Sequence, residues 1–149
     1  MIAASPPSLS PTAALTGLLT LAETFQQRLQ RVLRPLALTP SQYALLDALA
    51  TLGPCHHRKL GAQVSRSSGN VTTVVDHLER DSLVQRERNR ADRRLVTVHL
   101  TEAGRARYRQ AQPLVTAVAA ELVPEGMVSA TLDLVADLTP EPEQDDDAS

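Results

Sequence analysis

Residues 67 to 104 read "SSGNVTTVVDHLERDSLVQRERNRADRRLVTVHLTEAG", and the period of the apolar residues changes twice within them. Val71, Val74, Val75 and Leu78 stand at i, i+3, i+4 and i+7, the spacing of one buried stripe on a helix. Asn70, Thr72, Thr73, Asp76 and His77 fall on the outward side of that helix. From Leu83 the pattern becomes strand-like: "LVQRER" and "RLVTVHL" are joined by "NRAD", a polar connection suited to a hairpin tip. "LTEAG" then opens another helix, with Thr101 as its cap. Just upstream, "HHRKLGAQV" places Leu60 and Val64 one turn apart, and "SRSSG" breaks the chain before the next helix. Helix, short break, second helix with small polar residues outside, then hairpin: this is the order of a winged helix-turn-helix, whose second helix is shaped for a DNA major groove.

The hairpin carries an unusual load. Arg86, Arg88, Arg90, Arg93 and Arg94 all lie between residues 86 and 94. A hairpin that merely completed a sheet does not need them, whereas one that follows a phosphate backbone or enters a narrow minor groove does. Asp92, two residues before Arg94, is placed to accept hydrogen bonds from a guanidinium and fix its direction. Net charge alone hides this, since the whole chain of 149 residues carries only -2. Residues 58 to 94 hold nine Lys/Arg against five Asp/Glu, while the remainder holds six against twelve. One segment is basic and the rest is acidic.

Outward from this lobe, both flanks read as helices that pack along other helices. Before it, a helix is expected from Thr12 to Pro35, with Leu15, Leu18, Ala22, Phe25, Leu29 and Val32 in steps of three and four. "TPSQYALLDALATLG" gives a second helix with Thr39 as N-cap, Pro40 at its first position and Gln42 closing a capping box, stopped by Gly53 and Pro54. After the hairpin, Tyr108, Ala111, Val115, Val118 and Leu122 repeat the three-four step, with Pro113 expected to kink the helix. A last helix is expected from about Gly126 to Leu138, with Val128, Leu132 and Val135 inward. The fold expected is therefore mainly α with a small β-hairpin wing, a winged helix-turn-helix lobe at 36–100 and a helical dimerisation region at 12–35 and 101–138. Residues 1–11 read as a flexible N-terminus and 139–149 as an acidic disordered tail. Leu15, Leu18, Ala22, Phe25, Leu29, Val115, Val118 and Leu122 are the candidate dimerisation residues, because two such helices have more apolar edge than one small lobe can cover.

Composition limits the function. A single cysteine excludes an internal disulfide framework, the N-terminal segment lacks the pattern of a secretory signal, and no apolar run approaches the roughly 20 residues a membrane span needs. A cytoplasmic protein without membrane contact is expected. Cys55, His56 and His57 are adjacent, but three consecutive residues do not readily converge on one tetrahedral ion, so a structural role is preferred and no metal site is expected. His99 alternates within a strand and reads as structural. There is no phosphate-binding glycine loop, no recognisable carboxylate pair and no nucleophile motif, so neither catalysis nor a cofactor is expected.

The stretch from "LTPSQYALLDALATLGP" through "LGAQVSRSSGNVTTVVDHLERDSLVQRERNRADRRLVTVHLTEAG", roughly residues 38 to 104, resembles the multiple-antibiotic-resistance regulator (MarR) family of winged-helix repressors. "DRR" followed by an alternating strand and "LTEAG" is the specific part of that likeness. The resemblance implies a homodimer with interleaved terminal helices and two winged lobes reading a palindromic operator in double-stranded DNA. It implies a recognition helix at Ser67 to Asp81 and a wing at Arg86 to Arg94, with Arg94 as the minor-groove residue and Asp92 as its partner. Ser67, Ser68, Asn70, Thr72 and Thr73 are then the candidates for base edges or adjacent phosphates, with His77 beside them. Arg86, Arg88, Arg90 and Arg93 are the candidates for backbone contacts. "SSGNVTTVVDHLER" is most similar to the branch of the family that responds to quinones and catechol-like compounds, which implies a phenolic or quinone-like small-molecule effector. Two other classes compete with a DNA-binding repressor: a metal or redox sensor built on Cys55 and its histidines, and a winged helix used only as a protein interaction module.

Overall fold

A computed structural model of the protein describes residues 10–64, 68–88 and 96–138. Ser10 caps the first helix, α1 (Pro11–Leu33), by accepting from the Ala13 N–H at 3.1 Å, with Pro11 at the first helical position where its missing N–H costs nothing. The helix thus begins one residue earlier than expected. It ends in a 3₁₀ turn (Arg34–Leu36) that contains Pro35. Thr39 and Gln42 form the predicted capping box of α2 (Pro40–Leu52): the Gln42 N–H donates to Thr39 Oγ1 at 3.2 Å, and the Thr39 N–H donates to Gln42 Oε1 at 2.8 Å. Gly53 closes α2 with φ of 73°, in the left-handed region that glycine enters without a steric penalty.

A two-residue strand, β1 (Cys55–His56), comes next, and the sequence does not announce it. It leads directly into α3 (His57–Gln63), followed by α4 (Ser68–Arg80), β2 (Val84–Arg88), β3 (Val96–Leu100), α5 (Glu102–Leu122), a 3₁₀ turn (Glu125–Met127) and α6 (Val128–Leu138). The sheet is antiparallel in the order β1, β3, β2, with Cys55 opposite Val98 and Arg86 opposite Val98 on its other edge. The wing therefore has three strands, the extra one being supplied by the residues before the helix-turn-helix.

The core lies where α2, α3 and α4 meet the sheet. Val71, Val74, Val75 and Leu78 are all buried, as the i, i+3, i+4, i+7 spacing requires, and they pack with Leu45, Leu46, Leu49, Leu60, Val84 and Val98. Against this lobe α5 runs back along α1 and α2. It continues through Pro113 to Leu122, so the proline, although it removes one intrahelical hydrogen bond, does not end the helix. Tyr108 of α5 donates to Asp47 of α2 at 2.8 Å and stacks on Tyr43, with ring centroids 6.0 Å apart, while Arg28 of α1 pairs with Glu121 of α5. One expectation is corrected here. Val128, Leu132 and Val135 of α6 do not face inward: Leu132 is 64% exposed and the other two are exposed as well. The N-terminal half of α1 is also uncovered, with Leu15 57% exposed, and its stripe becomes half-buried only from Phe25 onward. Among the described residues no single helix is long and apolar enough to cross a membrane.

The joint between lobe and helical region is closely packed. Thr101 caps α5 by accepting from the Gly104 N–H at 2.9 Å, and its own hydroxyl lies 2.7 Å from the Ser82 carbonyl and 3.1 Å from that of Leu83. A Cβ on Gly104 would stand 1.9 Å from the Leu83 carbonyl oxygen, which is backbone and has no flexible end to move aside. Gly104→Ala should therefore destabilise the fold by roughly 2 kcal/mol despite alanine's better helix propensity. A thermal melt is expected to show a drop in Tm of about 5 °C, and an unchanged or raised Tm would contradict the geometry.

Candidate nucleic-acid interface

The second helix of the helix-turn-helix is α4, and its two faces differ as the sequence predicts. With the valine stripe held in the core, Thr72, Thr73, Asp76 and His77 are turned to the exposed side. Ser67 and the hairpin tip carrying Arg90, Asp92, Arg93 and Arg94 lie outside the described residues, as do the side chains of Ser68 and Asn70. Of the wing arginines that are described, Arg88 is exposed at the end of β2. Antiparallel pairing from Val84–Leu100 to Arg88–Val96 carries the hairpin outward beside α4, so both elements border one open groove. His57, Thr72, Asp76, Glu79, Arg86, Arg88 and Val96 line it.

Arg86, expected from the sequence to follow the phosphate backbone, does not stand free. Its Nη2 donates to Asp76 at 2.6 Å, its Nη1 to Glu79 at 2.5 Å and its Nε to His57 Nε2 at 3.3 Å. Only 22% of the side chain is exposed. Burial works against the guanidinium charge, but the hydrogen bonds to Asp76 and Glu79 outweigh it and the pKa is raised, so the arginine stays charged and paired. Because His57 Nε2 accepts from Arg86, its proton belongs on Nδ1, which is buried without a partner. Burial first, and the facing arginine second, lower the His57 pKa. Glu79 was not singled out by sequence, and His57 was weighed there only as a neighbour of Cys55 in a metal site. The signal available was the i, i+3 spacing of Asp76 and Glu79 on one helix face, but their partner sits across a turn and on a strand, where periodicity has nothing to say.

The cysteine and its two histidines point to separate places. Cys55 is 5% exposed in β1, and burial pushes its thiol up, away from the reactive thiolate. His56 Nδ1 lies 3.2 Å from the Val96 carbonyl, whereas His57 faces Arg86. His99 sits between the sheet residues with Nε2 3.1 Å from the Glu87 carboxylate, though without hydrogen-bond alignment. Among the described residues no group of three or more such ligands is arranged to hold a metal ion.

A second concavity, of about 410 Å³, opens between α1, α2 and α5. Gln26, Tyr43, Asp47 and Thr51 supply its polar edge, and Leu29, Ala48 and Val115 its apolar wall. The stacked tyrosines stiffen one side, and burial followed by the nearby Asp47 carboxylate pushes the Tyr43 hydroxyl up to about 12, so it remains a neutral donor. Of the residues expected at a dimer contact, Leu15, Leu18 and Ala22 are exposed, Phe25, Leu29, Val115 and Leu122 are half-buried, and Val118 is already buried within the chain.

Known proteins share this arrangement. Residues 38–96, from the end of the first connection to the start of β3, match the signature of the MarR family. The HTH-type transcriptional regulator YkoM of Bacillus subtilis (strain 168) is 42% identical over 65 residues, a stretch that makes up 44% of this chain and 42% of YkoM. The chain spans about half the length of the curated relatives it matches. Among solved structures, BpsR of Bordetella bronchiseptica superposes with a TM-score of 0.76 at 21% identity, over 91% of this chain and 96% of that one. A cysteine-to-serine mutant of MarR from E. coli, in complex with operator DNA, superposes with a TM-score of 0.75 at 25% identity, over 91% of this chain and 100% of that one. Residues 38–96, which hold the helix-turn-helix and the first strand of the wing, thus carry the MarR family signature, and the chain shares the winged helix-turn-helix fold of these proteins.

Proposed function

We propose that this protein is a transcriptional regulator that binds double-stranded DNA as a homodimer and is released by a small aromatic effector, acting as a repressor. The observation that carries the reading is α4, whose apolar stripe is consumed by the core while its threonines and His77 lie on the exposed side beside an arginine-bearing wing. In that reading α4 enters the major groove, where Asn70 pairs with adenine and Thr72 and Thr73 meet thymine methyl groups or phosphates. Arg88 and Arg90 contact the phosphate backbone, and Arg94, steered by Asp92, reaches the adjacent minor groove. The E. coli MarR mutant solved on operator DNA supports the mode of docking, because its fold matches over nearly the whole chain.

Dimerisation follows from the surface that one chain leaves open. Leu15, Leu18, Leu19 and Leu21 of α1 and Leu132, Leu134 and Val135 of α6 are large apolar side chains exposed on the two terminal helices, and a second copy covers them. The cleft between α1, α2 and α5 is the effector site: it lies between the helices that meet the partner and the lobe that meets DNA, and its volume suits a single small ring system. BpsR, whose DNA binding is regulated by 6-hydroxynicotinic acid, supports an aromatic effector. A redox sensor built on Cys55 is disfavoured by the burial of its thiol.

Three outcomes test this reading. Sedimentation at micromolar concentration should give a dimer, and the duplexes it selects from a random library should hold two half-sites about 34 Å, or one DNA turn, apart. A monomer, or selected duplexes without symmetry, would count against it. Asn70→Ala and Thr72→Ala should change the ranking of operator variants while leaving the circular dichroism spectrum unaltered. If neither substitution shifts the ranking, the wrong face of α4 has been assigned. Across a salt series, Arg88→Ala or Arg90→Ala should weaken binding to all duplexes and reduce the log-log salt slope by about 1 per lost contact, a change that counts twice in a dimer. Arg94→Ala and, in part, Asp92→Ala should instead penalise operators with narrow A/T-rich minor grooves. Equal affinity of these variants and the parent at every salt concentration would return the wing to the role of a solvated hairpin, or of a protein contact.

A further inference from the structure

The arginine at the base of the wing is built into a joint. Glu79 of α4 holds both halves of the same residue: one carboxylate oxygen accepts from the Arg86 backbone N–H at 3.1 Å and the other from its Nη1 at 2.5 Å. Asp76, one turn earlier on α4, takes Nη2 at 2.6 Å, and the Thr72 carbonyl lies 3.5 Å from the same nitrogen. His57, at the start of α3, closes the remaining side by accepting from Nε. A single guanidinium thus spans α3, α4 and β2, using its fork in the two-pronged geometry that a lysine does not reproduce.

We propose that Arg86 is a positioning residue that fixes the wing to α4 and masks the two carboxylates of that helix from DNA, rather than one of the arginines that contact phosphate. This rests on the reading that α4 and the wing bind duplex DNA. Asp76 and Glu79 lie on the groove side of a helix offered to a polyanion, and two unpaired carboxylates there would repel it. Arg86 supplies the counter-charge and, in the same contact, sets the distance between β2 and α4. Four of its five N–H donors go to Asp76, Glu79, His57 and the Thr72 carbonyl, so turning the guanidinium toward a phosphate would require the joint to open.

The two roles separate in a salt series with the full chain, using a duplex that the parent selects from a random library, and with melting curves and sedimentation as controls. Arg86→Met should weaken operator binding by roughly tenfold or more, since it leaves two carboxylates unpaired beside the DNA. The triple variant Asp76→Asn/Glu79→Gln/Arg86→Met, which removes the arginine and the charges it masks, should recover most of that loss and keep the salt slope of the parent. A triple variant that binds no better than Arg86→Met, with a slope smaller by about 2 per dimer, would show that Arg86 neutralises one phosphate per protomer and would overturn the proposal. If Arg86→Met does not fold, the slope of the triple variant against the parent decides alone. The pair Asp76→Asn/Glu79→Gln with Arg86 retained is the converse: freeing the guanidinium should steepen the slope and raise affinity for unrelated duplexes, and a slope equal to the parent's would again overturn the proposal. A parent that binds no duplex overturns the underlying DNA-binding reading and this proposal with it, whereas a parent that binds while its variants behave in the second way overturns this proposal only.

Discussion

Much of the arrangement depends on one backbone carbonyl. The oxygen of Leu83, just past α4, accepts from the Thr101 N–H at 3.1 Å, lies 3.1 Å from the Thr101 hydroxyl, and fills the space over Gly104 that any side chain would need. Ser82, immediately before it, takes a left-handed φ of 58° to turn the chain out of the helix and into β2. The end of α4, the first strand of the hairpin, the return of the second and the start of α5 are all referred to this point. Farther along α5, the Tyr108–Asp47 bond and the Tyr43–Tyr108 stack hold the same helix to α2, so the angle between the lobe and the long helices is fixed at two points.

The charge distribution becomes intelligible once the pairs are known. The basic excess in residues 58–94 is not spread evenly over the lobe. Arg80 leans on Asp81 at 3.4 Å, and Arg86 is consumed by Asp76 and Glu79. Exposed pairs such as Arg80–Asp81 contribute little to stability. The Arg86 cluster is different in kind, because it joins three elements around a guanidinium that is only 22% exposed, although Asp76 and Glu79 themselves remain open to solvent. Beyond those pairs, the segment's basic residues are Arg58, Lys59 and Arg66 in and after α3 and Arg88, Arg90, Arg93 and Arg94 in the hairpin stretch.

How much of this was legible in the sequence follows from the range of each signal. Capping is local, so Thr39 with Gln42, and Thr101 with Gly104, could be read directly. The stripe on α4 could be read because its four buried residues repeat within two turns. β1 could not: two residues, Cys55 and His56, carry no period, and they become a strand only because Val98 and Thr97 offer an open edge. The outward turn of Val128, Leu132 and Val135 was missed because an apolar stripe states that a face is to be covered, but not by which chain. The residues of the α4–wing joint were half legible. Asp76 and Arg86 were marked as polar and outward, yet pairing across ten residues and a turn leaves no trace in spacing.

The stacked tyrosines have a mechanical side. α5 has 21 residues, which makes it about 31 Å long. It is pinned at Leu83 beside the end of α4, and Val115, on the wall of the cleft, lies roughly 20 Å farther along its axis. Tyr108, bonded to Asp47, sits between the two. A rod held at one end and loaded partway along is a lever: a sideways shift of about 2 Å at Val115 would turn the axis by about 6° around the pinned end, over the length the helix rise sets. The end of α4 meets that same pinned end, so the helix-turn-helix and the Val115 wall of the cleft are both referred to one rod.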